Sequence, residues 1–171
     1  SSEKQTAMNG GYRYAPSTRI YMQFQNRFWE NESLSGWGNT DIPEEIWQPT
    51  WDLSGDTGVI MSYLRWTPAE NMDALSEQER IDYVLNRWEN VFPGATNNLD
   101  SGTSQSWAQE EWSKGAWASP TSSQDAALAN HIGLAEGDIH FAGEHASNDR
   151  GWMQGALVSG LRAANEINTA N

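Results

Sequence analysis

Apolar positions recur with a recognisable period in only a few stretches of this chain, and those stretches define its elements. In residues 19–29, RIYMQFQNRFW, Ile20, Met22 and Phe24 alternate with polar neighbours, which is the period of a strand. Residues 58–66, GVIMSYLRW, form the most strand-like run, and residues 45–50 predict a short strand carrying Trp47. A helix follows Ser76. Ser76-Glu77-Gln78-Glu79 has the form of a capping box, and Ile81, Val84, Leu85 and Trp88 then recur at i, i+3, i+4 and i+7. Pro93-Gly94 ends it. Residues 105–112 read as a strand or extended edge, 114–117 as a tight bend and 124–131 as a short helix. Gly, Ser and Asn mark 31–41 as a loop and 53–57 as a turn, while Gly10-Gly11 interrupts 4–14.

The stretch 139–167, IHFAGEHASNDRGWMQGALVSGLRAANEI, is organised differently. A short apolar run through Ile139 and Phe141 predicts a buried strand, with His140 on it as a core histidine. The run breaks at Gly143, a polar loop follows, and a helix is expected from Gly151. In that helix Gly155, Ala156, Ser159, Gly160, Ala163 and Ala164 fall at spacings that let another backbone or ligand approach closely. Leu157, Leu161 and Ala164 form an apolar row beside them. Strand, glycine turn and glycine-opened helix make a βα unit, whose helix N-terminus offers unpaired N–H groups and partial positive charge to a nucleotide cofactor.

Composition narrows the partners. The formal charge of −13 argues against nucleic acid and anionic membrane surfaces. No apolar run reaches the ~18–20 residues of a membrane span, and Ser1-Ser2-Glu3-Lys4 has no signal-peptide character. There is no cysteine, hence no disulfide framework and no thiolate metal site. His131, His140 and His145 have irregular spacing and no accompanying ligand pattern, so no metal is expected. The chain holds ten tryptophans, far more than usual.

The motif IHFAGEH-(5)-GWMQGALVSGLRAA resembles the C-terminal flavin-contacting segment of the flavin-dependent amine oxidase family. RIYMQFQNRFW, GVIMSYLRW, ALSEQERIDYVLNRW and WAQEEWSKGAW are similar, in the same order, to successive pieces of that family's substrate domain. Gly151-Trp152 at the helix start looks most like the L-amino-acid oxidase branch; monoamine oxidases usually have a tyrosine there. The overall look is closest to the L-glutamate oxidases, whose members mature into several chains by proteolysis. The resemblance implies an α/β fold of mixed α+β character: a substrate domain with a mixed sheet and helices, plus the last βα unit of a FAD-binding domain. The expected divisions are a connecting segment 1–18, a substrate-binding portion 19–123 and a FAD-binding portion 124–171. The family's G-x-G-x-x-G dinucleotide motif is absent here, since Gly36-Trp37-Gly38 does not qualify. The resemblance therefore implies one chain of a processed, hetero-oligomeric, extracellular oxidase, with the N-terminal dinucleotide-binding segment on other chains.

The same resemblance assigns roles residue by residue. Trp152 and Trp117 match two walls that flank the substrate before the flavin. Gly151, Trp152, Met153, Gln154, Gly155 and Ala156 would turn backbone N–H groups toward the ring. Gly143 and Glu144 match the ribityl-phosphate end. Lys4 is the candidate for a lysine that holds a water against flavin N5. Gln48 falls where relatives place a substrate-contacting aromatic. Ala116 stands where some relatives carry a flavin-linked cysteine, so FAD is expected to be held non-covalently. Substrates would be an L-amino acid and oxygen; products would be a 2-oxo acid, ammonium and hydrogen peroxide. Three rival readings remain on the residues: another flavin monoamine or polyamine oxidase, a tryptophan-rich carbohydrate-binding module, and a glycosidase with a carboxylate pair such as Glu110 and Glu144.

Overall fold

The computed structural model of the chain describes residues 1–41 and 44–170. In chain order its elements are α1 (Ser2–Thr6), running into a π-helical turn at Ala7–Gly11, then β1 (Tyr14–Ala15) and β2 (Ser17–Phe24). A 3-10 turn at Phe28–Glu32 precedes β3 (Gly38–Asn39), β4 (Glu45–Trp47) and β5 (Gly58–Arg65). Next come α2 (Thr67–Asp73), α3 (Glu77–Val91), α4 (Ala95–Asn98) and β6 (Leu99–Ser106). The last are β7 (Trp117–Ala118), α5 (Ser122–Ile132) and α6 (Met153–Ala170). The chain divides into a central unit, Pro16–Lys114, and a terminal unit made of Ser1–Ala15 with Gly115–Asn171.

The central unit is a five-stranded sheet in the order β3-β4-β5-β2-β6, with every pair antiparallel. Alternation along β2 turns Ile20, Met22 and Phe24 into the core, where they meet Ile46, Ile60 and Leu64 of the neighbouring strands. The amphipathic face of α3 closes that core with Ile81, Val84, Leu85 and Trp88. Phe24, Phe28, Trp29 and Trp88 form an aromatic cluster with centroid separations between 5.3 and 6.1 Å. The capping box at Ser76 forms as its sequence predicts: Glu79 N–H donates to Ser76 Oγ, and Ser76 N–H donates to Glu79 Oε2 at 2.8 Å. Ser76→Ala is expected to cost about 1 kcal/mol of stability, read as a Tm lowered by a few degrees in thermal melting.

The terminal unit pairs β1 with β7 and packs α1 against α5. Its small core gathers Tyr12, Ala118, Leu128 and Ile132.

The mixed α and β character is as the sequence predicts, and several boundaries differ. Residues 1–15 pack with the terminal unit, β1 pairing with β7, and the packing units change at 15/16 and 114/115. The strand pairs that this chain contributes to the sheet are all antiparallel among the described residues. The strand expected over 105–112 is instead β6, and the residues that follow it turn. Residues 139–142 form no strand among the described residues, and Ile139 is 62 % exposed. An apolar run becomes a strand only beside a partner edge, and among the described residues its only pairing is the isolated bridge of Ile139 with Glu136. The segment is held to α6 by side chains instead. Arg162 donates to Phe141 O at 2.7 Å, and His140 Nδ1 lies 2.9 Å from Glu166 Oε2. His140 is thus a loop residue that hydrogen-bonds Glu166 and not a strand residue. Helix α6 begins at Met153, two residues after Gly151.

Candidate functional site

The lead-in to α6 is a loop closed on itself by short bonds. Gly143 N–H donates to Ser159 Oγ at 2.9 Å, and that hydroxyl lies 2.8 Å from Gly143 O, so the buried Ser159 ties the loop's first residue to the second turn of α6. Ser147 Oγ accepts from Asp149 N–H at 3.1 Å. Arg150 pairs with Asp125 of α5 at 2.8 Å. Gly151 has φ of +77°, a left-handed conformation that glycine adopts without strain. A Cβ on it would lie 3.4 Å from Trp117 Cδ1, so the Gly151 backbone rests on the edge of that indole.

Glu144 occupies the centre of this arrangement. Its Oε1 accepts from Ala118 N–H at 2.8 Å and its Oε2 accepts from Gly151 N–H at 2.7 Å. The Glu144 charge also acts on its neighbours. Burial, with a further contribution from that carboxylate, pushes the Tyr14 phenol up to about 12. Burial lowers the His145 pKa, and the carboxylate only partly offsets it.

Trp152 follows Gly151 and is 74 % exposed; Met153 beside it is also exposed. Trp152 O accepts from Gly155 N–H and Ala156 N–H. The amides of Met153 and Gln154 come before any intrahelical acceptor is within reach, so they point outward from the helix start. Gly155 is buried against its own loop: a Cβ there would run into the Asp149 carbonyl. Along the helix, Leu157, Val158 and Leu161 are exposed apolar residues.

Lys4 lies in the same unit but is 5 % exposed and fully engaged. Its Nζ donates to His131 O at 2.6 Å and Ile132 O at 2.9 Å, the last carbonyls of α5, and lies 4.0 Å from the Phe141 ring centroid. Burial lowers its pKa. This is the geometry of a tether between α1 and α5. Gln48 lies in the central unit and is 2 % exposed. Alternation along β4 sends Ile46 inward and Trp47 outward, and Gln48 follows inward, packed beside Gly36. The side chain at that place with an exposed surface is therefore Trp47.

On the outer face of the central sheet, Trp47 stacks with Trp37 at 5.9 Å and meets Tyr63 edge-on at 6.5 Å. The Arg19 guanidinium lies 4.5 Å from the Tyr63 centroid. Burial works against its charge, but hydrogen bonds to the Tyr21 and Tyr63 phenols outweigh that, and its pKa rises. Among the described residues no carboxylate pairs with Arg19. The sequence signal was present: Arg19, Tyr21 and Gln23 are the polar phase of the alternation that buries Ile20, Met22 and Phe24.

The chain belongs to the flavin containing amine oxidoreductase family, whose profile matches residues 1–168. It is 37% identical over 160 residues to YobN of Bacillus subtilis (strain 168), provisionally assigned as an L-amino-acid oxidase, covering 91% of this chain and 34% of that protein. It is 31% identical over 161 residues to the L-amino-acid oxidase of Siganus canaliculatus, covering 91% of this chain and 31% of that protein. Among solved structures, the cyclohexylamine oxidase from Brevibacterium oxydans has the same fold, with a TM-score of 0.82 at 19% identity, over 98% of this chain and 38% of that one. A putrescine oxidase variant with redesigned cofactor binding aligns with a TM-score of 0.84 at 22% identity, over the same shares. The chain thus spans about a third of the length of the curated relatives it matches. Membership brings FAD as the cofactor. The start of α6 fits such a group. It offers outward amides at Met153 and Gln154, and an exposed apolar surface at Trp152 and Met153 beside them.

Proposed function

We propose that this chain is the substrate-facing and flavin-facing part of an L-amino-acid oxidase. The observation that supports this most is the start of α6. There Gly151 rests on Trp117, Trp152 stands exposed, and the first helical amides face outward. FAD, when bound, would supply the redox chemistry: a two-electron oxidation of the amino acid to its imine, with oxygen as the final acceptor giving hydrogen peroxide. The chain's own part is to hold and orient. Trp152 and Trp117 confine the substrate so that its Cα–H has one direction to go, which is a large term in a transfer reaction. The amides of Met153 and Gln154 and the α6 dipole would favour negative charge on a group held at the helix start. With alanine at 116, nothing at that bend can bond the cofactor covalently.

Glutamate is the favoured substrate. It sets an electrostatic problem, because it brings two carboxylates to a chain of formal charge −13. Cations that pair with those carboxylates, arginines by preference, must come from the rest of the oxidase. In this reading the N-terminal dinucleotide-binding segment lies on partner chains of a processed, secreted hetero-oligomer. No helix among the described residues is long and apolar enough to cross a membrane. Membership in a flavin family weighs against the carbohydrate-binding reading. The same membership weighs against the glycosidase reading of Glu110 and Glu144.

The test is a peroxide assay of the complete, flavin-loaded oxidase across the common L-amino acids and simple amines. L-Glutamate is expected to give the highest kcat/KM, and amines none. Turnover of amines alone would overturn the amino-acid reading. A preference for another L-amino acid would overturn only the glutamate assignment.

A further inference from the structure

We propose that Asn9 is a self-modification site, where the side-chain amide closes on the backbone nitrogen of Gly10 and is lost as ammonia. A bond forms between the Gly10 nitrogen and Asn9 Cγ, and the bond from Cγ to the amide nitrogen breaks. The Gly10 amide proton leaves with the departing ammonia. Water then opens the succinimide ring at either carbonyl, giving isoaspartate or aspartate. No oxidant, reductant or cofactor takes part.

The turn that holds Asn9 suits this chemistry. Asn9-Gly10 is the one asparagine–glycine step in the chain. Glycine brings no Cβ to crowd the attacking nitrogen, and both residues are exposed. They lie where α1 gives way to the π-helical turn at Ala7–Gly11, and both leave helical geometry there: Asn9 has φ −84° and ψ +24°, Gly10 φ +90° and ψ +4°. Attack requires Asn9 ψ to swing to the extended range. A residue already outside the helical ladder, beside a permissive glycine, makes that rotation more readily than one inside a helix. Other asparagines are placed less well. Asn39, Asn97 and Asn148 are each followed by a bulkier residue whose N–H is already bonded: Thr40 to Glu44 O at 2.8 Å, Asn98 to Gly94 O at 3.1 Å and Asp149 to Ser147 Oγ at 3.1 Å.

The product matters because both ends of the turn are fixed. On one side Lys4 Nζ donates to His131 O and Ile132 O; on the other, Tyr12 is buried in the small core of the terminal unit and leads into β1. Isoaspartate routes the chain through the old side chain and adds one methylene to the backbone between these anchors. The turn has little slack, since a Cβ on Gly11 would lie 2.5 Å from Thr6 O. The added atom loosens α1 and the β1–β7 pair, whereas aspartate adds charge without lengthening the chain.

The test is to age the complete, flavin-loaded oxidase at physiological temperature and mildly alkaline pH, beside a peptide of residues 5–14 as the unfolded reference. Peptide mapping by high-resolution mass spectrometry reads conversion at each asparagine, and fragmentation separates isoaspartate from aspartate. Exposed turns open at little free-energy cost, so Asn9 is expected to convert at a rate within about tenfold of the peptide's, ahead of every other asparagine, with isoaspartate as the major product. Conversion slower than that, or earlier at another asparagine, overturns the site. The Tm of the aged oxidase should fall by a few degrees in step with isoaspartate content. Freshly prepared Asn9→Asp should melt with the parent, and Asn9→Gln, whose longer side chain closes the ring poorly, should age without that fall. A Tm as low in fresh Asn9→Asp as in the aged parent, or an equal fall in aged Asn9→Gln, overturns the backbone-lengthening consequence. Mapping of the parent decides the site even if a variant does not assemble.

Discussion

Trp152→Ala should lower kcat/KM for the amino acid by about tenfold or more while leaving FAD bound, a loss of roughly 1.4 kcal/mol or more of transition-state stabilisation. The side chain stands exposed at the start of α6 and packs into neither core, so its removal leaves no cavity in the fold. What is removed is confinement of the substrate. That loss should appear mainly in kcat if the indole acts by orienting the Cα–H, and in KM if it contributes only uniform binding. Steady-state peroxide kinetics with a flavin absorbance ratio measured on the same preparation separate these. A variant as active as its parent would show that Trp152 does not face the substrate.

Gly155→Leu should abolish flavin retention rather than merely slow turnover. Gly155 is buried, and a Cβ there would be driven into the Asp149 carbonyl and lie 3.2 Å from Ser147 Oγ. These are groups of the loop itself, and a backbone carbonyl cannot rotate aside as a side-chain tip can. The loop must move away from α6. That strains the Ser147 bond to Asp149 N–H and the Glu144 bond to Gly151 N–H, which together shape the helix start. Overpacking of this kind costs roughly 1–3 kcal/mol or more. The check is the flavin-to-protein ratio after gel filtration of the assembled oxidase, with Gly155→Ala as a smaller step in the same direction. Full flavin with parental activity in Gly155→Leu would show that the loop and cofactor are independent.

The readable parts of the sequence were those in which a local pattern and its partner lie in the same chain. Helix α3 carries both its cap and its apolar face, and the core it covers lies in the same unit, so its limits could be read to within a residue or two. Strands β2 and β5 alternate cleanly because one face of each is buried. Strand β6, LDSGTSQS, is an edge strand with only Ser106 buried, so it carries no apolar signal, and the strand the pattern predicts over 105–112 falls several residues beyond it. Residues 139–142 have the composition of a strand but, among the described residues, only a single bridge from Ile139 to Glu136; composition alone cannot report whether a partner edge is at hand. The site followed the same rule. The residues of the loop motif lie together, with Glu144 bonded to Gly151 and Trp117 beside them, and the roles given to them stand as proposals. The burial of Lys4 and Gln48 was not legible, because each depends on distant packing. A carbonyl pair at the end of α5 holds Lys4, and the phase of a three-residue strand turns Gln48 inward.

The terminal unit is assembled from two pieces of chain separated by the whole of the central unit. Each unit nevertheless brings its own ends together: Trp107 N–H donates to Ser17 O at 2.9 Å in the central unit, and Ala116 N–H donates to Ala15 O at 2.9 Å in the terminal one. This sets an order of folding. The central unit is contiguous and its largest helix forms from local contacts, so it can collapse first. Pairing β1 with β7 in an unfolded chain would mean closing a loop of roughly a hundred residues, and each doubling of loop length adds about 0.6 kcal/mol to that closure. Once the central unit has folded, the same pairing closes over a tether of a few residues, and about 2 kcal/mol of that entropy has already been spent. The terminal unit, with the loop and helix that carry the candidate site, is therefore the last part of the chain to become ordered.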